Sequence, residues 1–124
     1  MKTVVVIDDN LEIRENTAEL LGLNGYNVFT ADNGIEGYEL IKTMHPQVIC
    51  CDMAMPGTDV KNFLTLLKND KTTNSIRLVF FSAGSVPYEV RMGFMQAADK
   101  YLPKPFSEYE LLSAIEGDEA IAWV

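Results

Sequence analysis

Short apolar runs alternate with longer segments of helical period along this chain, and this alternation limits the fold more than any other feature of the sequence. The apolar runs predict five strands, at about residues 3–8, 27–31, 48–52, 76–82 and 100–102. Strands that alternate with helices form parallel sheets, and the helices cover both faces of such a sheet. The pattern therefore predicts an α/β fold built on one five-stranded parallel sheet.

The first two helices are predicted from helical spacing and from an N-cap signal. One helix is expected at about 10–23, and a second begins after Asn33, a residue type that favours the N-cap position. The spacing of the second helix lets Ile35, Tyr38 and Ile41 share a face. We therefore expect these three side chains to point toward the sheet.

Three further helices complete the predicted repeat. The third has the i, i+3, i+4, i+7 pattern of a helix packed on a sheet, at Val60, Phe63, Leu64 and Leu67. The fourth is predicted at about 87–97, and the segment 68–75 before the fourth strand is expected to be a loop. Ser107 and Glu110 have the spacing of a capping box, so they predict the start of the last helix.

The length of the chain bounds its organisation. A chain of 124 residues is long enough to bury a real core but leaves no room for a second domain of any size. We therefore expect one domain over residues 1–124, with its core at about 3–116. Residues 117–124 are expected to form a tail or an extension of the last helix.

Charge and hydropathy exclude several classes of function. The net charge is −8, with 18 acidic and 10 basic residues, which argues against direct nucleic-acid binding. The apolar runs are strand-sized, and the N-terminus leads into a strand without the apolar region of a signal peptide. We therefore expect a cytoplasmic protein that contacts no membrane and has protein partners. Cys50 and Cys51 are adjacent in a strand, so they should lie on opposite faces as reduced core residues.

Polar residues follow four of the predicted strands at the point where each strand ends. They are Asp8 and Asp9, Asp52, Ser82 and Lys104. In open α/β sheets, ligands bind outside the carboxyl ends of the strands, where the strand order reverses. In the flavodoxin-like, doubly wound (βα)5 order 2-1-3-4-5, strands one and three are neighbours. We predict this order, which brings the three carboxylates together.

Clustered carboxylates favour a bound cation. Two of them about 4 Å apart repel by roughly 4 kcal/mol at an effective dielectric constant of about 20. A hard cation removes this repulsion, and Mg²⁺ typically binds one or two carboxylates while keeping room for substrate phosphate. The acid-rich set contains no Cys or His that would favour zinc. The sequence therefore predicts a Mg²⁺ site, with Mn²⁺ as an alternative.

The same residues resemble the signature of the receiver domains of response regulators, the CheY-like modules of two-component signalling. The resemblance lies in Asp8-Asp9, Asp52 followed by Met55-Pro56, Ser82-Ala83, and the segment 99–106 around Lys104. It covers residues 4 to about 115, and the order and spacing of the motifs together are highly specific. The resemblance implies a signalling switch or a phosphorelay intermediate.

The resemblance assigns roles at the metal and phosphoryl site. It implies that Asp52 is the nucleophile that accepts a phosphoryl group from a phosphohistidine. Asp9, Asp52 and the backbone carbonyl of Ala54 would ligate Mg²⁺, with Asp8 acting mainly through metal-bound water. Lys104 would pair with phosphoryl oxygens, and a cis peptide bond before Pro105 is implied.

The resemblance also assigns the switch. Ser82 would donate a hydrogen bond to the phosphoryl group, and Tyr101 would rotate inward as the Ser82 hydroxyl moves. The surface formed by the fourth helix, the fifth strand and the fifth helix would then change. Its partners would be a histidine kinase or histidine phosphotransferase and a downstream effector protein, and homodimerisation through this face stays open.

Three other functions remain as alternatives. A receiver-like scaffold that works without phosphorylation would keep the fold but usually lacks one of the key site residues, and none is lost here. A phosphatase with an aspartyl nucleophile usually has an Asp-x-Asp motif after the first strand, which this sequence lacks. A flavin carrier would bring FMN phosphate against Asp8-Asp9-Asn10. We therefore expect no turnover of a separate substrate, only catalysis by the chain of its own phosphorylation and dephosphorylation.

Overall fold

One parallel sheet of five strands forms the centre of the computed structural model, which describes residues 2–55, 58–82, 93 and 97–117. The strands are β1 (Thr3–Ile7), β2 (Asn27–Ala31), β3 (Val48–Asp52), β4 (Arg77–Ser82) and β5 (Lys100–Pro103). Their order in the sheet is β2-β1-β3-β4-β5, and every pair is parallel. The predicted flavodoxin-like order is therefore confirmed.

Four helices connect or follow these strands in the described part of the chain. They are α1 (Leu11–Leu23), α2 (Gly34–Met44), α3 (Val60–Asn69) and α4 (Glu108–Glu116). The helix labelled α4 is the last of the five predicted helices. Each begins after an N-cap side chain that accepts a hydrogen bond from the backbone N–H three residues later, at Asn10, Asn33, Asp59 and Ser107. The capping box of Ser107 and Glu110 is confirmed. Most of the helix predicted at about 87–97, and residues 118–124, lie outside the described residues.

The sheet separates two apolar clusters. One face carries Val5, Ile7 and Ile49 and is covered by α2 and α3. The other face carries Val4, Val6 and Val79 and is covered by α1 and α4. Cys51 belongs to the first cluster and Cys50 to the second, and both thiols are buried and free, as the sequence predicted.

The buried face of α2 differs from the predicted one. Ile35 is 77% exposed, so the expectation that it faces the sheet was wrong, whereas Ile41 is fully buried. Gly34 and Gly37 are the buried residues of the first turns. A Cβ atom at Gly37 would lie 2.8 Å from Ile7 Cγ1 and closer still to its Cδ1. The helix therefore approaches the sheet at Gly37, Gly34 lies against the Thr58 side chain, and Ile35 is turned outward.

Several boundaries also differ from the predicted ones. The strand β1 ends at Ile7 rather than at Asp8, and β4 begins at Arg77. The helix α3 continues to Asn69, into the segment predicted as a loop. Pro103 still belongs to β5, where it stands opposite Ser82 in the parallel register.

Candidate functional site

The strand register brings the polar residues at the carboxyl ends of β1, β3 and β4 to one edge of the sheet. Ile7 stands opposite Cys51, so Asp8, which follows β1, and Asp52, the last residue of β3, lie at the same height on neighbouring strands. At the next pair of strands, the backbone N–H of Lys104 donates to the carbonyl of Ser82 at 2.7 Å. The carboxyl edge of the central strands therefore carries acids, a hydroxyl group and a lysine.

Three carboxylates meet at this edge. Asp8, Asp9 and Asp52 each have a carboxylate oxygen within 4.8 Å of those of the other two. Asp8 is fully buried and Asp52 is 5% exposed, whereas Asp9 is exposed to solvent. The structure thus brings together the acids that the sequence placed at strand ends.

Lys104 lies between the two buried acids. Its Nζ atom is 2.9 Å from Asp8 Oδ2 and 3.1 Å from Asp52 Oδ2, and its side chain is only 13% exposed. Burial alone would lower the pKa of Lys104, but the adjacent Asp8 and Asp52 carboxylates outweigh it and raise the pKa. Lys104 is therefore a charged ammonium in this site. The peptide bond between Lys104 and Pro105 is cis.

Asp52 experiences opposing electrostatic effects. Its pKa is raised above the ordinary value, chiefly because burial disfavours the ionised form, and the Asp8 carboxylate adds to the rise. The Ala54 backbone N–H, 3.1 Å from Asp52 Oδ1, and the Lys104 ammonium act against it. One ammonium thus compensates the two buried carboxylates only in part.

The acid cluster fits a hard divalent cation. Asp8 Oδ2 is a buried oxygen that makes no aligned hydrogen bond among the described residues, although the Lys104 ammonium lies at ion-pair distance. This oxygen lies beside two further carboxylates, and the cluster as described contains no imidazole or thiolate. Such an oxygen-only site suits Mg²⁺ and the water molecules that the ion keeps.

Arg14 supports the first acid pair and was missed by the sequence analysis. Its Nη1 atom donates a hydrogen bond to the backbone carbonyl of Asp8 at 2.8 Å. The backbone N–H of Asn10 donates to Asp8 Oδ1 at 2.9 Å, so both ends of Asp8 are held. The signal in the sequence is the position of Arg14 four residues after the N-cap Asn10, which aims a basic side chain back at the loop.

The two predicted switch residues lie on β4 and β5. Ser82 is buried at the end of β4, next to the acid site. Tyr101 is partly buried and packs against the cluster on the α2 and α3 face of the sheet. Ala54 is exposed directly after Asp52 and Met53. Their roles as switch and as carbonyl ligand stay predictions.

A groove borders the site on the α1 side. Its volume is about 480 Å³, and it is lined by residues of α1 and of the loop after β5, among them Ile13, Leu20, Lys104 and Phe106. Lys104 therefore faces both the acid cluster and this groove.

In the part of the chain that the structure describes, no helix has the length and apolar character needed to cross a membrane.

Comparison with known proteins places this site in a family. The response regulator receiver domain profile matches residues 4–116. The chain is 35% identical to protein PilG of Pseudomonas aeruginosa over 91% of this chain and 84% of PilG. It is 31% identical to the phosphate regulon transcriptional regulatory protein PhoB of the same species, over 93% of this chain and 50% of PhoB. The chain thus spans about half the length of that relative.

Solved structures agree with these relatives. The chemotaxis response regulator CheY4 of Vibrio cholerae superposes with a TM-score of 0.83 at 25% identity, covering 94% of this chain and 97% of CheY4. The receiver domain of the Francisella response regulator 1452 gives a TM-score of 0.79 at 29% identity, with 94% of each chain covered. Fold, sequence and strand-edge residues agree, and the chain belongs to the response regulator receiver domains of two-component systems.

Proposed function

We propose that Asp52 accepts a phosphoryl group from a phosphohistidine of a partner protein and that the added charge switches the signalling surface of this receiver. One observation carries the proposal: the Lys104 ammonium lies between the buried carboxylates of Asp8 and Asp52 at the carboxyl edge of the sheet. Receiver domains are signalling modules rather than enzymes that turn over a separate substrate.

The transfer exchanges one bond to phosphorus for another. A carboxylate oxygen of Asp52 attacks the phosphorus atom, and the bond from phosphorus to the imidazole nitrogen breaks. The imidazole leaves with the electron pair, takes up a proton, and an acyl phosphate remains on Asp52. Lys104, 3.1 Å from Asp52 Oδ2, is close enough to pair with a phosphoryl oxygen. The Ser82 hydroxyl group would donate a hydrogen bond to a second phosphoryl oxygen.

Receiver domains bind Mg²⁺ at an acidic pocket, and here the acid cluster is that pocket. Asp9, Asp52 and the Ala54 carbonyl would hold the ion, and Asp8 would act from the outer shell. Bound there, the ion supplies positive charge that offsets the phosphoryl oxygens. The exposure of Asp9 supports a direct ligand role, and the buried contact of Asp8 with Lys104 supports the outer one.

Partner contacts follow from the location of Asp52. A histidine kinase or histidine phosphotransferase must bring its imidazole to this edge, so it has to cover the neighbouring surface. The groove along α1, with apolar Ile13 and Phe106 beside Lys104, offers such a surface. The effector would bind the face formed by β5, α4 and the helix predicted at about 87–97; most of that helix lies outside the described residues. A change in the position of Tyr101 would alter that face.

Intact-mass measurement after incubation with acetyl phosphate and Mg²⁺ tests the proposal. We expect one phosphoryl group on the wild-type chain, none on Asp52→Asn, and much slower labelling after chelation of the metal. Asp32→Asn is the matched control, because Asp32 follows β2 at the same edge but is exposed and lies outside the acid cluster. A phosphoryl group that survives Asp52→Asn would contradict the proposal. No labelling of the wild type would favour the phosphorylation-independent scaffold.

A further inference from the structure

A second, larger groove lies between α2 and α3, which both cover the same face of the sheet. We call it the α2–α3 groove; its volume is about 740 Å³. Its apolar residues include Ile35, which is 77% exposed, and Leu66, which is 43% exposed, above the buried Phe63. Gly34, Gly37 and Ile41 make the buried contacts of α2, so the fold itself does not require an isoleucine at position 35.

The charged residues that line the groove all have one sign. Its charged lining residues are Glu36, Glu39 and Asp59, and none of the described residues that line it is Lys, Arg or His. Lys42, at the far end of α2, forms an ion pair with Asp70 and is not part of the lining. An apolar floor with an acidic rim is complementary to a segment that has apolar residues on one side and basic residues beside them.

The dimensions of the groove suit a helix. The helices α2 and α3 have 11 and 10 residues, which makes each wall about 15 Å long, or about three helical turns. Amphipathic helices commonly bind in such grooves between two helices, with apolar side chains at i, i+3, i+4 and i+7. The open shape and the exposed Ile35 suit this kind of ligand.

The groove is also in contact with the loop that leaves the acid site. The backbone N–H of Gly34 donates to Thr58 Oγ1 at 3.2 Å, and the backbone N–H of Thr58 donates to the Met55 carbonyl at 3.0 Å. Thr58 lines the groove, and Met55 lies three residues after Asp52. A segment bound in the groove therefore touches the loop that also contains Ala54.

We propose that the α2–α3 groove binds a basic amphipathic helix of a partner protein. The groove is a surface separate from the one along α1 that faces the phosphodonor and from the face of β5 and α4. The groove is present in the unphosphorylated protein and should bind the helix there, so the two proposals can fail independently.

A synthetic peptide of leucine and lysine at amphipathic helical spacing is the probe, about 11 residues long to match three turns. Two peptides serve as controls: a scrambled sequence of the same composition and an analogue with glutamate in place of lysine. Titration into the ¹⁵N-labelled protein is followed by NMR shifts and calorimetry. We expect shifts concentrated in α2, α3 and Thr58, and at least tenfold weaker binding of both controls.

Matched variants locate the binding surface. Ile35→Ser and Leu66→Ser should each weaken binding at least fivefold. Leu23→Ser should leave it unchanged, because Leu23 is also 77% exposed but lies at the end of α1. Glu36→Gln with Glu39→Gln should weaken binding, whereas Glu19→Gln on α1 should not. Circular dichroism checks that each variant is folded.

Three results would overturn the proposal. One is equal binding of the basic and glutamate peptides, and another is equal loss of affinity in Leu23→Ser and Ile35→Ser. The third is concentration-dependent self-association that Ile35→Ser abolishes, because it would assign the groove to a second copy of this chain.

Discussion

At the scale of single residues, Lys104 balances two carboxylates that are almost completely removed from water. Removing one partner from a buried ion pair leaves an uncompensated charge, which typically costs about 3 to 5 kcal/mol. Asp8 and Asp52 are both within ion-pair distance of Lys104 Nζ, at 2.9 and 3.1 Å. The lysine is therefore a structural residue in the metal-free protein as well as a candidate catalytic one.

We expect Lys104→Met to lower the free energy of unfolding by about 3 kcal/mol in the metal-free protein at neutral pH. The apolar stem is kept, so the loss reports the charge. Urea denaturation in the presence of a chelator measures it. Adding Asp52→Asn to this variant should recover part of the loss, because it removes the repulsion between Asp52 and Asp8. A Lys104→Met variant as stable as wild type would contradict the prediction.

The pH dependence of stability tests the electrostatics of Asp52 directly. Its folded-state pKa is raised above the ordinary value of 3.8, chiefly by burial. Between pH 3.8 and the folded-state pKa, Asp52 binds more protons in the folded chain than in the unfolded chain. The contribution of Asp52 to stability is therefore greatest below pH 3.8 and is lost as the pH rises through the folded-state pKa. Asp52→Asn cannot ionise and lacks this loss.

We therefore expect Asp52→Asn to gain stability relative to metal-free wild type as the pH rises from about 4 to about 7, by an amount of order 1 kcal/mol. Denaturation curves of both proteins over this pH range give the difference. Mg²⁺ should stabilise wild type more than the variant, because Asp52 is a proposed ligand. A difference that is constant with pH would contradict the raised pKa, and equal Mg²⁺ effects would contradict the ligand role.

Residues at strand ends could be predicted from the sequence, whereas residues that reach across the fold could not. Asp8, Asp52 and Lys104 are placed by strand boundaries and strand order alone. Arg14 acts through a hydrogen bond from its side chain to the Asp8 carbonyl. Its spacing from the N-cap Asn10 points it toward the loop but does not identify the carbonyl that it reaches. That contact depends on the direction in which α1 leaves the sheet, which only the structure shows.

At the scale of elements, the position of α2 depends on its glycines. Helical spacing correctly predicted the buried face of α3, where Val60, Phe63 and Leu67 are buried. The same reasoning failed for Ile35 because it counted only apolar side chains as candidates for burial. Close approach instead favours residues without a side chain: Gly37 lets α2 approach Ile7 of the sheet, and Gly34 lets it approach Thr58 before α3.

Two glycine substitutions separate helix propensity from packing. Alanine favours a helix over glycine by about 1 kcal/mol. At Gly22 in α1 an added Cβ meets nothing within 4 Å, so Gly22→Ala should stabilise the protein by roughly 0.5 to 1 kcal/mol. At Gly37 the Cβ would collide with the buried Ile7, so Gly37→Ala should destabilise it by about 1 to 3 kcal/mol.

Urea denaturation of the two variants measures both effects. Changes of the same sign would contradict the close contact between α2 and β1. Ile7 directly precedes Asp8, so Gly37→Ala should also weaken Mg²⁺ binding, which calorimetry detects. Gly22→Ala should leave Mg²⁺ affinity unchanged.

At the scale of the whole molecule, the loop after β3 is shared by the acid site and the α2–α3 groove. Asp52 Oδ1 accepts the Ala54 N–H at one end of this loop, and Thr58 Oγ1 accepts the Gly34 N–H at the other. A cation that binds the Ala54 carbonyl would draw the loop toward the acids and away from Gly34. Two ligands that favour the same loop position must strengthen each other's binding by the same factor.

Coupling between the two surfaces is the last prediction, and it rests on both proposals. With Mg²⁺ and beryllofluoride, a phosphoryl analogue that needs the Asp52 carboxylate, the basic peptide should bind about fivefold tighter or more, the lower end of typical allosteric coupling. Calorimetry measures the peptide affinity with and without the analogue. Asp52→Asn should abolish the response without changing the basal affinity.

Thr58→Val tests the contact that carries this coupling. Valine keeps the shape of threonine but cannot accept a hydrogen bond from the Gly34 N–H, so the hydrogen bond between this loop and α2 is lost. The variant should bind the peptide more tightly without the analogue and respond to it less. Thr65→Val, on the exposed surface of α3, is the control and should behave like wild type. If the analogue changes peptide affinity equally in wild type and Thr58→Val, the coupling runs by another route; if it changes neither, the groove and the acid site are independent.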